Sequence, residues 1–180
     1  GGKQVEEKEL IKELKKGKES AYYEIVNLYG NKLLRSCFLI IRDKNEAEDI
    51  VQETFIRVFK YIKTFRGDSS LYTWVYRISQ NVAKDRFKNK MEICPYENEE
   101  VDYENPEDIM ISNIYRELLR SALDSLSFIN KQVLVLFYFD GFSIKEISEI
   151  LGEKDSTIKS RLFRGRLLLK EALEKGGFHG

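Results

Sequence analysis

Apolar residues recur at three- and four-residue steps along most of this 180-residue chain, and sustained alternation of apolar and polar residues is almost absent. This spacing gathers apolar side chains on one side of an α-helix, whereas a half-buried strand needs alternation. The longest example is Asn45–Phe65, where Ile50, Phe55, Val58 and Ile62 follow the helical spacing. The pattern therefore predicts an all-α protein.

Further helices are predicted wherever the same periodicity resumes. They span Glu6–Lys16, Ser20–Tyr29, Asn31–Ile41, Leu71–Lys90, Ile111–Leu126, Ile129–Phe139, Ile144–Leu151 and Thr157–Lys175. A loop is predicted at Arg66–Ser70, where glycine and small polar residues are concentrated.

The segment Met91–Asp108 interrupts this pattern. It contains both prolines of the chain, Pro95 and Pro106, and it is rich in acidic residues while containing no lysine or arginine. Proline ends a helix, and repulsion between like charges extends a chain. We therefore predict two small helical bundles, residues 1–90 and 111–180, joined by a flexible acidic linker over residues 91–110.

Composition limits the possible classes of function. The 30 basic and 30 acidic residues cancel, so only their distribution can indicate a partner. No signal-peptide pattern stands out, and the apolar runs are too short to span a bilayer, so a cytoplasmic location is expected. Cys37 and Cys94 could form one disulfide, but two free thiols are expected there.

No catalytic motif is present in the sequence. The sole histidine, His179, lies in a glycine-rich tail. We therefore expect no bound metal, no other cofactor and no enzymatic activity.

The segment Phe142–Leu162 has the features of a helix-turn-helix. Ser143 followed by Glu146 is a capping box, and Gly152 can adopt the left-handed conformation that ends a helix. A second helix follows within a few residues, with Asp155 or Ser156 expected to cap it. Two helices joined by a short turn are typical of a DNA-binding unit.

The second helix is rich in basic residues, and Asp155–Lys170 contains a single acid. If Ile158 and Leu162 are buried, its polar and basic residues point outward, where they can contact base edges and phosphates in the major groove. A solvated basic face is the alternative, and the capping box and glycine turn favour DNA binding. The outward residues are Ser156, Lys159, Ser160 and Arg164, with Arg161 toward the edge.

The predicted helix Leu71–Lys90 presents another mixed face. Trp74, Arg77, Asn81 and Lys84 lie at steps of three and four, which suits stacking on an unpaired base and pairing with phosphates. Phe65 and the Arg66–Ser70 loop could form a pocket for that base. The alternative is that Trp74 and Tyr76 belong to the core, and the spacing alone slightly favours it.

Asp49, Gln52 and Glu53 share one face of the helix Asn45–Phe65. An acidic face can bind a basic partner helix, but its spacing alone favours simple solvation.

Taken together, the segments "AEDIVQETFIRVFKYIKTFRG", "LYTWVYRISQNVAKDR" and "FSIKEISEILGEKDSTIKSRLFRGR" resemble bacterial extracytoplasmic-function (ECF) sigma factors of the sigma-70 superfamily. The resemblance covers nearly the whole chain in family order. It implies that residues 1–90 are sigma domain 2, which binds core RNA polymerase and opens the promoter −10 element, and that residues 111–180 are sigma domain 4, which reads the −35 element.

The resemblance also implies partners and residue roles. The partners would be the β′ and β subunits of core polymerase, duplex and single-stranded promoter DNA, and an anti-sigma factor, which in this family is often membrane-anchored. Asp49, Gln52 and Glu53 would contact polymerase. The −10 DNA would contact Phe65, Gly67, Asp68, Ser69, Ser70, Trp74, Tyr76, Arg77, Asn81 and Lys84. The −35 DNA would contact Ser156, Thr157, Lys159, Ser160, Arg161, Arg164 and Arg166.

Two other classes of protein also fit parts of the sequence. One is a stand-alone helix-turn-helix regulator that binds DNA as a dimer, and the other is an adaptor whose basic helix binds an acidic protein. Neither explains the Asp49–Glu53 face together with the Trp74–Asn81 face.

Overall fold

The computed structural model describes residues 2–93 and 111–177, and within these ranges it contains helices and no strand. The all-α prediction is therefore confirmed. Of the predicted linker, residues 91–93 end a helix, whereas residues 94–110, including Cys94, lie outside the described residues, as does His179. No helix in the described ranges is both long and apolar enough to cross a bilayer.

Short connections join the helices within the N-terminal half (residues 2–93) and within the C-terminal half (residues 111–177). They are α1 (Gly2–Lys15), α2 (Glu19–Ile41), α3 (Lys44–Tyr61), α4 (Leu71–Ile93), α5 (Ile111–Asp124), α6 (Phe128–Leu134), α7 (Ile144–Leu151) and α8 (Asp155–Lys175). A 3-10 turn at Ile62–Thr64 follows α3, and a π-helical turn at Val135–Phe139 follows α6.

Helix α2 differs from the prediction because it is continuous through Gly30, where two separate helices were expected. A glycine inside a helix costs about 1 kcal/mol relative to alanine. That cost is offset by the packing of the apolar side of α2, since Ile25 and Leu33 on either side of Gly30 are completely buried.

Two other helix boundaries also differ from the prediction. Helix α3 ends at Tyr61, and the chain then tightens into the 3-10 turn before Phe65 takes an extended conformation. Helix α8 begins at Asp155, two residues earlier than predicted, with Lys154 as its N-cap and no side-chain capping bond. The expectation that Asp155 or Ser156 caps this helix is therefore wrong.

Each half buries its own apolar helix faces. In the C-terminal half, α6, α7 and α8 pack through Leu134, Ile147, Ile158 and Leu162, all of which are buried. Gly165 lets α8 approach α6 closely, because a Cβ at that position would lie only 3.2 Å from the Leu134 side chain. This packing fixes the position of the outward side of α8.

The two halves also pack against each other. Helix α4 lies against α7, while α2 contacts α6 and the π-helical turn. Consequently one apolar cluster contains Val75 and Tyr76 from the N-terminal half together with Phe142 and Ile147 from the C-terminal half.

Candidate nucleic-acid interface

The predicted helix-turn-helix is formed by α7 and α8. The Ser143 hydroxyl accepts a hydrogen bond from the Glu146 backbone N–H, and the Glu146 carboxylate accepts one from the Ser143 N–H. Gly152 ends α7 with a φ of +66°, in the left-handed region that glycine tolerates best. The capping-box and glycine-turn predictions are both confirmed.

The outward side of α8 forms a basic surface that we call the recognition face. Its exposed members are Ser156, Lys159, Ser160, Arg164 and Arg166. Thr157 and Arg161 are half-buried, and the Arg161 guanidinium lies 3.1 Å from a Glu153 carboxylate oxygen. Arg166 packs over the rings of Phe137 and Tyr138, 5.5 Å from each ring centre. The burial of Ile158 and Leu162 on the opposite side confirms the predicted orientation of the helix.

A second polar surface, which we call the tryptophan face, runs along α4. Arg77, Asn81 and Lys84 are exposed, and Trp74 is half-buried. The indole of Trp74 packs against the ring of Phe65, with the ring centres 5.2 Å apart. The structure therefore brings together an aromatic ring, a side-chain amide and two cations, a combination that suits unpaired nucleic acid.

A cleft of about 390 Å³ opens at the N-terminal end of the tryptophan face. Its volume is within the range of sites that accept small molecules. Asp68, Ser69 and Arg77 contribute polar groups to its wall. The lining residues are Thr64, Phe65, Arg66, Asp68, Ser69, Thr73, Trp74, Arg77 and Glu149. Glu149 is the member of this set that belongs to α7, in the C-terminal half.

The loop before α4 holds the remaining residues predicted near the cleft. Gly67 is exposed at a φ of +80°, which requires a residue that tolerates left-handed backbone. The Ser70 hydroxyl accepts a hydrogen bond from the Thr73 N–H, 3.1 Å away, and so caps the first turn of α4. By capping α4, Ser70 helps to fix the position of Thr73 and Trp74, which line the cleft.

Two residues predicted to contact −10 DNA are buried in this arrangement. Phe65 is 6% exposed and forms the back of the cleft behind Trp74. Tyr76 is completely buried, and its hydroxyl donates a hydrogen bond to an Asp140 carboxylate oxygen 3.0 Å away in the π-helical turn. Tyr76 therefore contacts the other half of the chain here and has no surface open to solvent.

The residues predicted to bind polymerase form an exposed patch on α3, which we call the acidic face. Asp49 and Gln52 are exposed, and Glu53 is half-buried. The Glu53 carboxylate accepts a hydrogen bond from Arg57, one turn later, at 2.8 Å. Asp49 lies 3.6 Å from Arg86 of α4, so the neighbouring helix partly neutralises this face.

Asp140 is a group near this site that the sequence analysis did not identify. Both of its carboxylate oxygens accept hydrogen bonds from the Ser36 hydroxyl of α2, at 2.6 and 2.7 Å. Burial raises the pKa of the Asp140 carboxyl to about 6, although hydrogen bonds from Ser36 and Tyr76 oppose that rise. Burial also raises the pKa of the Tyr76 hydroxyl, which stays protonated as a donor.

Glu149 was also missed, because its position at the cleft depends on contact between α4 and α7, which are far apart in sequence. A signal for Asp140 was present, since an acid follows directly on the apolar run Val133–Phe139. An acid in that position can be expected to be buried, but the sequence does not identify the hydrogen-bond partners of Asp140.

Comparison with known protein families assigns both halves of the chain. Residues 25–92 match the family model described as "Sigma-70 region 2", and residues 116–169 match "Sigma-70, region 4". The chain is 33% identical to the ECF RNA polymerase sigma factor SigW of Bacillus subtilis, over 92% of this chain and 96% of that protein. It is 30% identical to the ECF RNA polymerase sigma-E factor of Escherichia coli strain K12, over 91% of this chain and 92% of that protein.

Solved structures show the same fold. CnrH in complex with the cytosolic domain of CnrY superposes with a TM-score of 0.72 at 20% identity, covering 94% of this chain and 97% of that one. The sigma factor RpoE from Bartonella quintana, in complex with the anti-sigma factor NepR, superposes with a TM-score of 0.73 at 23% identity. That match covers 85% of this chain and 96% of RpoE.

Proposed function

Because the chain belongs to the ECF family of RNA polymerase sigma factors, we propose that it binds core RNA polymerase and directs it to promoters with matching −35 and −10 elements. The observation that carries this proposal is the presence of the recognition face, the tryptophan face and the acidic face on one chain that matches its relatives over nearly its full length. A stand-alone regulator would need the recognition face alone.

The recognition face reads the −35 element as duplex DNA. Residues near the start of α8, such as Ser156 and Lys159, are placed to meet base edges in the major groove. Arg164 and Arg166, further along the helix, suit phosphate contacts that fix the register of the protein on the duplex. Thr157, Ser160 and Arg161 complete the proposed −35 contacts.

The tryptophan face and the cleft capture the −10 element after its strands separate. Trp74 can stack on a base, Asn81 can hydrogen-bond to a base edge, and Arg77 and Lys84 can hold phosphates. The loop residues Gly67, Asp68, Ser69 and Ser70 frame the cleft that would receive an extruded base. Phe65 supports Trp74 from behind, and Tyr76 becomes available only where the C-terminal half moves away.

The acidic face binds the β′ subunit, and the C-terminal half is expected to contact β. Polymerase supplies the catalysis, so the sigma factor itself needs no active site. The protein acts in the cytoplasm, where it meets the polymerase. Residues 91–110 act as a linker between domain 2 (1–90) and domain 4 (111–180). An anti-sigma factor controls the protein, a proposal supported by the structural neighbour RpoE, which was solved in complex with the anti-sigma factor NepR.

The acidic face provides the experiment that tests this function. The double variant Asp49→Ala/Gln52→Ala should bind core polymerase at least tenfold more weakly, because truncation of central interface residues commonly costs about 2 kcal/mol or more. Binding is measured by retention on immobilised core polymerase, with circular dichroism to confirm the helical fold.

The matched control is Gln4→Ala/Glu6→Ala, which removes an exposed acid and an exposed amide from α1. This control should bind polymerase like the unmodified chain. If the unmodified chain does not bind core polymerase, or if the acidic-face variant binds equally well, the polymerase-binding role proposed for this surface is wrong. Sequence-specific binding to a palindromic duplex without polymerase would instead support the stand-alone regulator.

A further inference from the structure

The first helix of the chain contacts both ends of the Arg66–Ser70 loop at the −10 cleft. The Lys15 ammonium of α1 donates a hydrogen bond to the Phe65 carbonyl oxygen, 2.8 Å away, just before the loop begins. The Glu7 carboxylate, also on α1, accepts one from the Leu71 N–H at 2.8 Å, where the loop ends and α4 begins. Two side chains of one helix therefore hold the loop from either side.

The loop between these contacts has few contacts of its own. In the part of the chain that the structure describes, the backbone of residues 66–69 makes no hydrogen bond. Gly67 adopts the left-handed conformation in this stretch, and no atom from elsewhere in the chain lies within 4 Å of the position that a Cβ would take. The conformation of such a segment depends strongly on how its ends are held.

Helix α1 is well suited to hold two fixed points. Its buried residues Leu10 and Leu14 attach it to the apolar core of the molecule. Glu7, Ile11 and Lys15 are spaced four residues apart, so their side chains follow one side of the helix. A helix rises about 1.5 Å per residue, which separates Glu7 from Lys15 by about 12 Å along the axis. Because the helix sets that distance, it does not change when the loop is displaced.

The Glu7 contact fixes the start of α4. The first N–H groups of a helix have no partner within the helix, and a negatively charged acceptor suits them well. Glu7 supplies such an acceptor to Leu71, in the same turn that Ser70 caps from within the loop. Trp74 lies one turn further on, and its N–H donates a hydrogen bond to the Ser70 carbonyl oxygen at 3.1 Å. A shift of this turn would therefore move the indole that is proposed to stack on the extruded base.

The Lys15 contact fixes the other side of the cleft. Phe65 is almost completely buried and packs against Trp74 at the back of the cleft. Lys15 is half-buried, and it reaches the Phe65 carbonyl across 50 positions of sequence. Held at this point, the chain leaves the 3-10 turn in the extended conformation of Phe65, with a φ of −64° and a ψ of 121°. The residues that follow and line the cleft are Arg66, Asp68 and Ser69.

We propose that Glu7 and Lys15 are positioning residues for −10 recognition, which hold the loop and the first turn of α4 so that the cleft accepts an extruded base. Both residues precede the segment 25–92 that matches sigma-70 region 2, so that match gives them no role. They are not among the residues that line the cleft, so each acts through the backbone group that it holds. This inference rests on the proposed function.

Paired substitutions on α1 test the proposal. Glu7→Ala/Lys15→Met removes both contacts, whereas Glu7→Gln/Lys15→Arg keeps an acceptor and a donor and is the conservative variant. The matched control is Glu9→Ala/Lys12→Met, which removes another acid and another cation from α1. The Glu9 and Lys12 side chains are 63% and 61% exposed. Retention on immobilised core polymerase and circular dichroism should be the same for all three variants and the unmodified chain.

The main readout is discrimination between promoter bases. The promoter is first selected from a randomised DNA library with holoenzyme containing the unmodified chain. Run-off transcription is then compared with that from two altered promoters, one with a single base changed in the −10 element and one with a single base changed in the −35 element. The unmodified chain should prefer the selected promoter about tenfold over each.

Loss of the two contacts should affect the −10 element alone. In Glu7→Ala/Lys15→Met, the −10 preference should fall to about threefold or less, because a small misplacement of a binding group weakens recognition strongly. The −35 preference should stay unchanged, since α8 is unaltered. The conservative variant and the control should keep both preferences.

Trp74 provides a spectroscopic readout, because it is the only tryptophan of the chain. Acrylamide should quench its fluorescence more strongly in the free Glu7→Ala/Lys15→Met chain than in the unmodified chain, since the indole loses part of its packing against Phe65. The conservative variant and the control should be quenched like the unmodified chain.

The possible outcomes separate the two proposals. An unchanged −10 preference, or an equal loss at both elements, would overturn the positioning role while leaving the sigma-factor function intact. If Glu7→Ala/Lys15→Met loses helicity, Lys15→Met is measured alone, and loss of helicity there too would mean that the contacts serve only folding, which also overturns the proposal. If the unmodified chain selects no promoter and directs no transcription, the proposed function itself fails. A selective loss at −10 that the conservative variant restores supports both.

Discussion

The two surfaces proposed to contact promoter DNA differ in how freely the structure presents them. The recognition face on α8 is built from exposed side chains supported by the core of its own half, and Lys159 and Arg164 are open to solvent. The tryptophan face on α4 is only partly available, because Tyr76 is buried against the C-terminal half and Glu149 lies in the cleft. One proposed DNA-binding surface is therefore open to solvent where the halves pack together, and the other is partly covered by the C-terminal half.

The largest expected effect comes from changing how tightly the two halves pack together. Burial where the halves meet raises the pKa of Asp140 to about 6, above the value of about 4 expected for a solvated carboxyl. The packed arrangement is therefore most stable below about pH 4, and it loses up to roughly 3 kcal/mol of stability as the pH rises through 6. The groups that face this carboxyl are Lys32, Arg35 and Cys37 from α2, and Tyr72 and Tyr76 from α4.

Asp140→Asn removes this titration and keeps a hydrogen-bond acceptor in place. We expect the variant to stay closed at pH 7.5 and to lose the pH dependence between 5 and 7.5. The measurement is energy transfer between dyes on the two halves. A variant with the same pH profile as the unmodified chain would show that Asp140 does not control closure.

The next largest effect concerns stacking in the opened −10 surface. Trp74→Ala should weaken capture of the melted strand by about 1–3 kcal/mol, roughly 5- to 150-fold, because each stacked base contributes that much. Trp74→Phe should restore part of the loss. Permanganate reactivity of promoter thymines reports strand opening.

Tyr23→Ala is the control, since it truncates an exposed aromatic on α2, away from the cleft. It should leave permanganate reactivity unchanged. Equal promoter opening by Trp74→Ala and the control would remove Trp74 from the proposed −10 contacts.

Phosphate contacts on the recognition face should produce a smaller effect. Each phosphate contact adds about 0.9 to the slope of log affinity against log salt concentration. The double variant Lys159→Ala/Arg164→Ala should therefore reduce the slope for holoenzyme on promoter duplex by up to about 2. Lys3→Ala/Lys8→Ala on α1 serves as the charge-matched control, and an equal slope in both variants would mean that α8 faces something other than DNA.

The smallest effect tests the helix-turn-helix itself. Ser143→Ala removes the cap of α7 and should lower the free energy of unfolding by about 1 kcal/mol, measured by urea titration. Lys145→Ala, an exposed change in the same turn, should alter it by less than about 0.5 kcal/mol. Similar values for the two variants would show that the capping box contributes little.

Local features of the chain were predictable from sequence. The capping box at Ser143, the left-handed Gly152 and the outward side of α8 each depend on residues within a few positions of one another. Gly30 misled the prediction because the packing of a long helix outweighs one unfavourable residue. Sequence patterns therefore predict a structural feature reliably when the residues that determine it are close together in the chain.

Contacts between the halves were not predictable in the same way. Ser36 and Asp140 are separated by 104 positions, and Gln80 and Gln132 by 52. A single sequence contains no signal that joins such pairs. Tyr76 shows the consequence, since its place in the family pattern indicates a DNA contact whereas its surroundings here are protein.

The most direct test of the central claim is the distance between the halves in the free and promoter-bound states. Dyes attached at Ser20→Cys on α2 and Lys170→Cys on α8, in the Cys37→Ala/Cys94→Ala background, report that distance by single-molecule energy transfer. The free chain should show one high-transfer population, which core polymerase and promoter DNA convert to a low-transfer population. High transfer that persists in a transcribing complex would contradict the claim that the halves separate to function.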